Sequence, residues 1–77
     1  MNRIISVQPF GDGWSVRSDA FDSEMMCLSG AKAEAAARRL ADKMARGGEN
    51  AEIRIYLRDG QLAGSFVRQG RPLALAG

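Results

Sequence analysis

EIRIYLRDGQLAGSF, residues 52–66, has two alternating apolar segments on either side of an Asp59-Gly60 pair. Asp-Gly between such segments is a strong signal for a β-hairpin with a two-residue type I′ turn. The pairs expected across this turn are Arg58–Gln61, Leu57–Leu62, Ile55–Gly64 and Ile53–Phe66. The apolar residues should then share the face beneath a helix. The opposite face should carry Glu52, Arg54, Tyr56 and Arg58.

A helix is expected directly before this hairpin. Ser29 is a favoured N-cap residue and Gly47-Gly48 supply an end signal, so the pattern predicts a helix from Gly30 to Arg46, about 25 Å long. The residues that recur at helical spacing on its buried stripe are Ala33, Ala36, Ala37, Leu40 and Met44. Their small side chains should let the helix lie close to a sheet.

The first part of the chain predicts more strands. Residues 3–8 and 14–18 should form a first hairpin around the turn residues 9–13, and residues 20–28 a third strand that includes Phe21 and the apolar residues 25–28. The order β-β-(β)-α-β-β predicts an α+β domain over residues 1–68, with a single helix packed on an antiparallel sheet. Residues 69–77 are expected to form a loosely held tail. In that tail Leu73 and Leu75 alternate as in a strand that could join a sheet edge or a partner.

Several short motifs resemble those of a family of small bacterial domains of unknown function. They are Gly13-Trp14-Ser15-Val16 after a turn, Ser29 with Ala33 at the helix start, Ala37-Arg38-Arg39-Leu40-Ala41 within the helix, and Arg58-Asp59-Gly60 at a strand end. The resemblance covers about residues 4–62. Two features depart from it: Lys32 stands where a capping-box acid would be, and the tail lacks an aromatic-Gly ending. The resemblance implies the architecture and brings no activity with it.

The residue types present argue against catalysis. The chain has 77 residues and no histidine, so the commonest general base and metal ligand are missing. Cys27 lies between Met26 and Leu28 and is expected to be a small core residue, and Trp14 should also lie in the core. Gly11-x-Gly13 precedes a strand and not the helix that a phosphate loop requires. We therefore expect a protein that is not an enzyme, with no cofactor and no small-molecule substrate.

Four acidic residues are clustered in the sequence before the helix. Asp12, Asp19, Asp22 and Glu24 lie among turn residues and are interpreted as solvated loop residues, not as a metal site.

With one cysteine, no disulfide can form within the chain, which favours a reducing compartment. Apolar segments are too short for a signal peptide or a membrane span. The expected location is the cytoplasm, without membrane association.

Two candidate binding surfaces remain. Lys32, Arg39, Lys43 and Arg46 fall within an arc of about 60° on a helical wheel and form what we call the cationic seam. The simplest interpretation is a solvated flank; a functional seam would meet phosphates or an acidic protein surface. The second surface is the outer hairpin face with Arg54, Tyr56 and Arg58, residue types that are enriched at protein interfaces.

The functional hypothesis is therefore a non-catalytic binding module that acts through protein–protein interaction. Self-association as a dimer is one form of it, because an open sheet leaves strand edges to cover. An inhibitor of a larger complex, such as a phage or mobile-element inhibitor of host defence, is another. The alternative is a nucleic-acid-binding protein that uses the cationic seam.

Overall fold

A computed structural model describes residues 2–19 and 24–70. The elements in chain order are β1 (Asn2–Phe10), β2 (Gly13–Ser18), β3 (Met25–Cys27), α1 (Gly30–Arg46), β4 (Asn50–Tyr56) and β5 (Leu62–Arg68). The strands form one sheet in the spatial order β3-β2-β1-β4-β5, and α1 packs on one of its faces. The predicted α+β class, with one helix between the third and fourth strands, is confirmed.

The sheet is mixed and not antiparallel throughout. β1 and β4 pair in parallel from Asn2–Asn50 to Val7–Ile55, while the other neighbouring strands are antiparallel. The connection explains this pair. A single helix returns the chain to the end of the sheet where β3 began, so β4 runs in the direction of β3 and also of β1.

The helix has the predicted bounds and caps. The Ser29 hydroxyl accepts a hydrogen bond from the Lys32 N–H at 3.2 Å, and Gly47 closes the other end by donating to the carbonyls of Lys43 and Met44. The buried helix residues are Ala33, Ala36, Ala37, Ala41, Met44 and Ala45. Leu40, predicted in this stripe, is partly buried against it. The stripe is thus mostly alanine, and its small side chains let the helix lie close to the sheet.

The core between the two layers is small. From the sheet it takes Ile5, Val7, Val16, Ala51 and Ile53. Trp14, Cys27 and Ile55 are partly buried against these residues, in line with the core placement expected for Trp14 and Cys27.

The first hairpin is longer than the pattern suggested. β1 continues through Pro9 and Phe10, and the turn is the two-residue Gly11-Asp12. Gly11 has φ +57°, which fits a type II′ turn with glycine first. β1 pairs with β4 only as far as Val7, so Pro9 lies where β1 has a single neighbouring strand and tolerates the missing N–H.

The second hairpin has the predicted pairs Ile53–Phe66 and Ile55–Gly64, but its turn differs. Tyr56, not Leu57, pairs with Leu62, so Ala63 is an extra residue on β5. The Leu57 N–H donates to the Gln61 carbonyl at 2.8 Å, which leaves a three-residue loop, 58–60.

The predicted type I′ turn is therefore wrong. Among the described residues only glycines have positive φ, and Gly60, at +90°, is the one in this loop. Asp59 holds the alternative geometry, because its Oδ1 accepts a hydrogen bond from the Gln61 N–H at 3.0 Å. The result matches a type I turn followed by a left-handed glycine.

Two sequence predictions fall partly outside the described residues. The third strand is confirmed at Met25–Cys27, whereas Phe21 lies outside that part of the chain. Leu73 and Leu75, which were predicted to alternate as in a strand, also lie outside the described residues. Within the described residues, the Gly70 N–H donates to Asn50 Oδ1 at 2.7 Å.

Candidate binding surfaces

One face of the sheet is left uncovered by α1, and we call it the open face. Its residues are those that alternate with the buried ones along each strand. On the three central strands they are Ile4, Ser6, Gln8, Ser15, Arg17, Glu52, Arg54 and Tyr56. The face is therefore mainly polar, with one aromatic residue.

An open concavity of about 430 Å³ lies on this face. Its lining includes Ile4, Ser6, Gln8, Arg17 and Tyr56. The lining also includes Ser18 and Asp19, so the concavity combines the Ile4 side chain and the Tyr56 ring with hydroxyl, amide, guanidinium and carboxylate groups.

Two arginines flank Ser6 on the open face. Ser6 is the register partner of Arg17 on β2 and of Arg54 on β4. Neighbouring strands are about 4.8 Å apart, so the two arginine Cα atoms are separated by roughly 10 Å. The two arginines therefore lie on either side of β1 on the same face of the sheet.

Arg54 is fixed by its neighbours on β4. Its Nε donates to Glu52 Oε2 at 2.7 Å. This hydrogen bond, followed by one with Tyr56, raises the pKa of Arg54 above its ordinary value. Arg54 and Tyr56 are thus brought together, as the sequence predicted.

Arg58 does not join them. β4 ends at Tyr56, and the Arg58 side chain donates from Nη1 to the Gly11 carbonyl at 3.2 Å. Its predicted place on the outer strand face is wrong, because the three-residue loop takes it out of the strand. Arg58 instead links the tips of the two hairpins.

The sequence reasoning did not assign residues of β1 or β2 to the open face, and two of these, Arg17 and Ser15, matter most. Arg17 is exposed and is the arginine that lines the concavity beside Tyr56. Ser15 is fully buried, and its hydroxyl has no hydrogen-bond partner among the described residues. Alternation along β2 puts both side chains on the face of the sheet that Val16 does not occupy. Their neighbours on β1, Gln8 for Ser15 and Ser6 for Arg17, are known only from the strand register.

The cationic seam is present on the exposed side of α1. Its residues Lys32, Arg39, Lys43 and Arg46 are all exposed and form no salt bridge with another described residue. The charged residues next to the seam are used elsewhere: Arg38 lies 5.4 Å from the Phe66 ring centroid, and Asp42 is 3.1 Å from Arg68. The seam is therefore a row of exposed cations that form no salt bridge within the described residues.

Exposed apolar side chains are concentrated at the two edges of the sheet. Around β3 they are Phe10, Met25, Met26 and Leu28, and on the second hairpin they are Leu57, Leu62, Phe66 and Val67. A groove of about 410 Å³ runs between Phe10 and Leu28. Both edges thus offer apolar surface in addition to backbone groups.

Within residues 2–19 and 24–70, no three His, Cys, Asp or Glu side chains come together as metal ligands would. The helix of this part of the chain is neither long nor apolar enough to span a bilayer. Comparison of the chain with protein-family models, curated proteins and solved structures finds no significant match. The resemblance to a family of small bacterial domains therefore stays a prediction.

Proposed function

We propose that the chain is a non-catalytic module that binds another protein through the open face, with Tyr56 as the anchor. The observation that carries the proposal is the half-buried Tyr56 at the border of the 430 Å³ concavity. Tyrosine and arginine are the residue types that most often dominate binding energy at protein interfaces. Here Tyr56 and Arg17 line the same recess, and Arg54 lies next to Tyr56 on β4.

The side chains of the open face also suggest the kind of partner surface. Arg17 has no salt bridge among the described residues, and Arg54 is held by Glu52 beside Tyr56. A partner that presents an apolar side chain next to a carboxylate would satisfy both Tyr56 and Arg17. We place the module in the cytosol, as an inhibitor or adaptor that occupies a surface of a larger complex, such as a phage or mobile-element inhibitor of host defence.

The test is affinity capture from a native lysate with and without nuclease. We expect proteins that the wild type retains after nuclease treatment and that Tyr56→Ala loses, at a cost of about 2 kcal/mol or roughly 30-fold in affinity. Phe10→Ala is the control, because it also removes an aromatic ring but lies away from the concavity. Equal retention by wild type and Tyr56→Ala would refute the proposed anchor.

A second candidate function is nucleic-acid binding through the cationic seam. The observation that favours it is the absence of any salt bridge at four neighbouring cations within the described residues. Phosphates spaced along a backbone are natural partners for such a row. In the capture experiment this function predicts partners that disappear after nuclease treatment and that do not depend on Tyr56.

A further inference from the structure

We propose that β5 is a homodimerisation edge. Two copies pair antiparallel through β5 about a two-fold axis at Ser65, so that their sheets join into one. This surface is separate from the open face and the cationic seam, and the proposal does not depend on either.

β5 is the longer and less protected of the two sheet edges. It has seven residues, whereas β3 at the other edge has three. No described residue pairs with its outer side. Natural edges are usually blunted by proline, lysine or inward-pointing charge. The segment from Leu62 to Val67 has none of these and leaves Leu62, Phe66 and Val67 about half exposed.

The sequence of β5 is complementary to itself in this register. With Ser65 opposite Ser65 of the second copy, Gly64 lies opposite the second copy's Phe66, and Ala63 opposite its Val67. Phe66 of each copy thus meets Gly64 of the other on the same face, twice over by symmetry. Arg68 is the one charged residue of β5. The Arg68 residues of the two copies would lie at opposite ends of the paired strands, and each already forms a salt bridge with Asp42 of its own copy.

Gly64 gives the second copy's Phe66 a place to lie. Gly64 pairs with Ile55 and so belongs to the face beneath the helix, where Phe66 also lies opposite Ile53. A Cβ added at Gly64 would meet nothing within 4 Å, and its φ is not positive. Neither the backbone nor the packing of one copy requires glycine here. The open position is instead a slot that an aromatic ring from the paired strand would fill.

Symmetry favours β5 with β5 over β5 with β3. A pairing between two different edges is head-to-tail and leaves a free edge at each end, which leads to open chains. A β5–β5 pair closes after two copies. The extra residue at Ala63 limits the regular edge to residues 64–67. The interface should therefore be smaller than the roughly 1,200 Å² of stable complexes, and the dimer should be weak, with a Kd in the micromolar range or above.

Crosslinking tests the register directly. In a Cys27→Ser background, which removes the native thiol, Ser65→Cys should form an intermolecular disulfide under mild oxidation because directly opposed residues have Cβ atoms about 5 Å apart. Val67→Cys is the matched control: it is on the same face and strand, but its two copies would be offset by about 14 Å along the strand. Equal crosslinking by both variants, or none by Ser65→Cys at high micromolar concentration, overturns the proposal.

Sedimentation over a concentration series tests the slot. Gly64→Val should fold at least as well as wild type, because valine favours strands and has room, yet should weaken dimerisation at least tenfold. Phe66→Ala should weaken it similarly, and Phe10→Ala should leave it unchanged. A wild type that stays monomeric at about 1 mM, or a Gly64→Val variant that dimerises as wild type does, refutes the dimer.

Discussion

Ser15 and Ser29 are the same residue type in opposite situations. Ser29 caps the helix by accepting the Lys32 N–H at 3.2 Å. Ser15 is fully buried, and its hydroxyl has no partner among the described residues. A buried hydroxyl without a hydrogen bond costs free energy, whereas a capping hydroxyl contributes it. The capping role of Ser29 could be predicted from local sequence. The burial of Ser15 could not, because its neighbours Gln8 on β1 and Met26 on β3 are known only from the strand register.

We therefore predict opposite effects for two identical substitutions. Ser29→Ala should lower the free energy of unfolding by about 1 kcal/mol through loss of the cap. Ser15→Ala should leave it unchanged or raise it by up to about 1 kcal/mol, since the unpaired hydroxyl is removed. Ser29→Asp is the control, because aspartate also caps and should retain stability. Urea unfolding of the three variants gives the values, and a loss of more than 1 kcal/mol in Ser15→Ala would show that its hydroxyl has a partner.

At the scale of the element, one residue in the first turn of α1, Lys32, lowers the stability of the helix. Lys32 lies in the first turn, where the helix dipole disfavours a cation, and the first turn has no acidic residue. Lys43 and Arg46 lie in the last turn, where a cation is favourable. Lys32 is the one member of the cationic seam whose charge works against the helix, which is expected if the seam is kept for binding.

Lys32→Glu should stabilise the protein by about 1 kcal/mol. Glutamate at this position completes a capping box with Ser29 and places a favourable charge at the helix start. For a domain of this size the melting temperature should rise by roughly 4–8 °C. Lys43→Glu makes the same charge change in the same seam at the other helix end and should lower the melting temperature. If both variants shift it in the same direction, the dipole does not govern stability here.

The elements differ in how far the sequence determined them. The helix bounds were predictable because the signals at Ser29 and Gly47 are local. The hairpin pairs Ile53–Phe66 and Ile55–Gly64 followed from counting outward from Asp59-Gly60, and they hold because the extra residue at Ala63 offsets the longer loop. The turn did not, since Asp-Gly suits more than one loop and the Asp59 hydrogen bond decides between them. The parallel β1–β4 pair was missed because alternation indicates which face is buried and not which strand lies alongside.

For the whole molecule, charge distribution matters more than the net charge of +2. The cationic seam lies on the helix layer and the open face on the opposite side of the sheet, so a change in one leaves the other intact. The dimer edge at β5 would keep both accessible. Each of the three surfaces can therefore be tested in a protein whose other two are unaltered.

A salt titration separates the seam from the open face as the site of nucleic-acid binding. If all four seam residues contact phosphates, counterion release gives a slope of log affinity against log salt of about −3.6 on duplex DNA. Binding should then weaken on the order of 100-fold between about 50 and 200 mM salt. Each charge-removing substitution in the seam should reduce the slope by about one unit.

The matched control removes cations from the opposite side of the molecule. Arg17→Gln with Arg54→Gln should leave the slope unchanged if the seam is the site, whereas glutamine at all four seam positions should abolish binding. Random duplex and single-stranded oligonucleotides serve as probes. A slope that falls in the Arg17 and Arg54 variant would move the nucleic-acid site to the open face. Undetectable binding of the wild type at 50 mM salt would eliminate nucleic acid as a partner, because the counterion contribution that drives it is strongest at low salt.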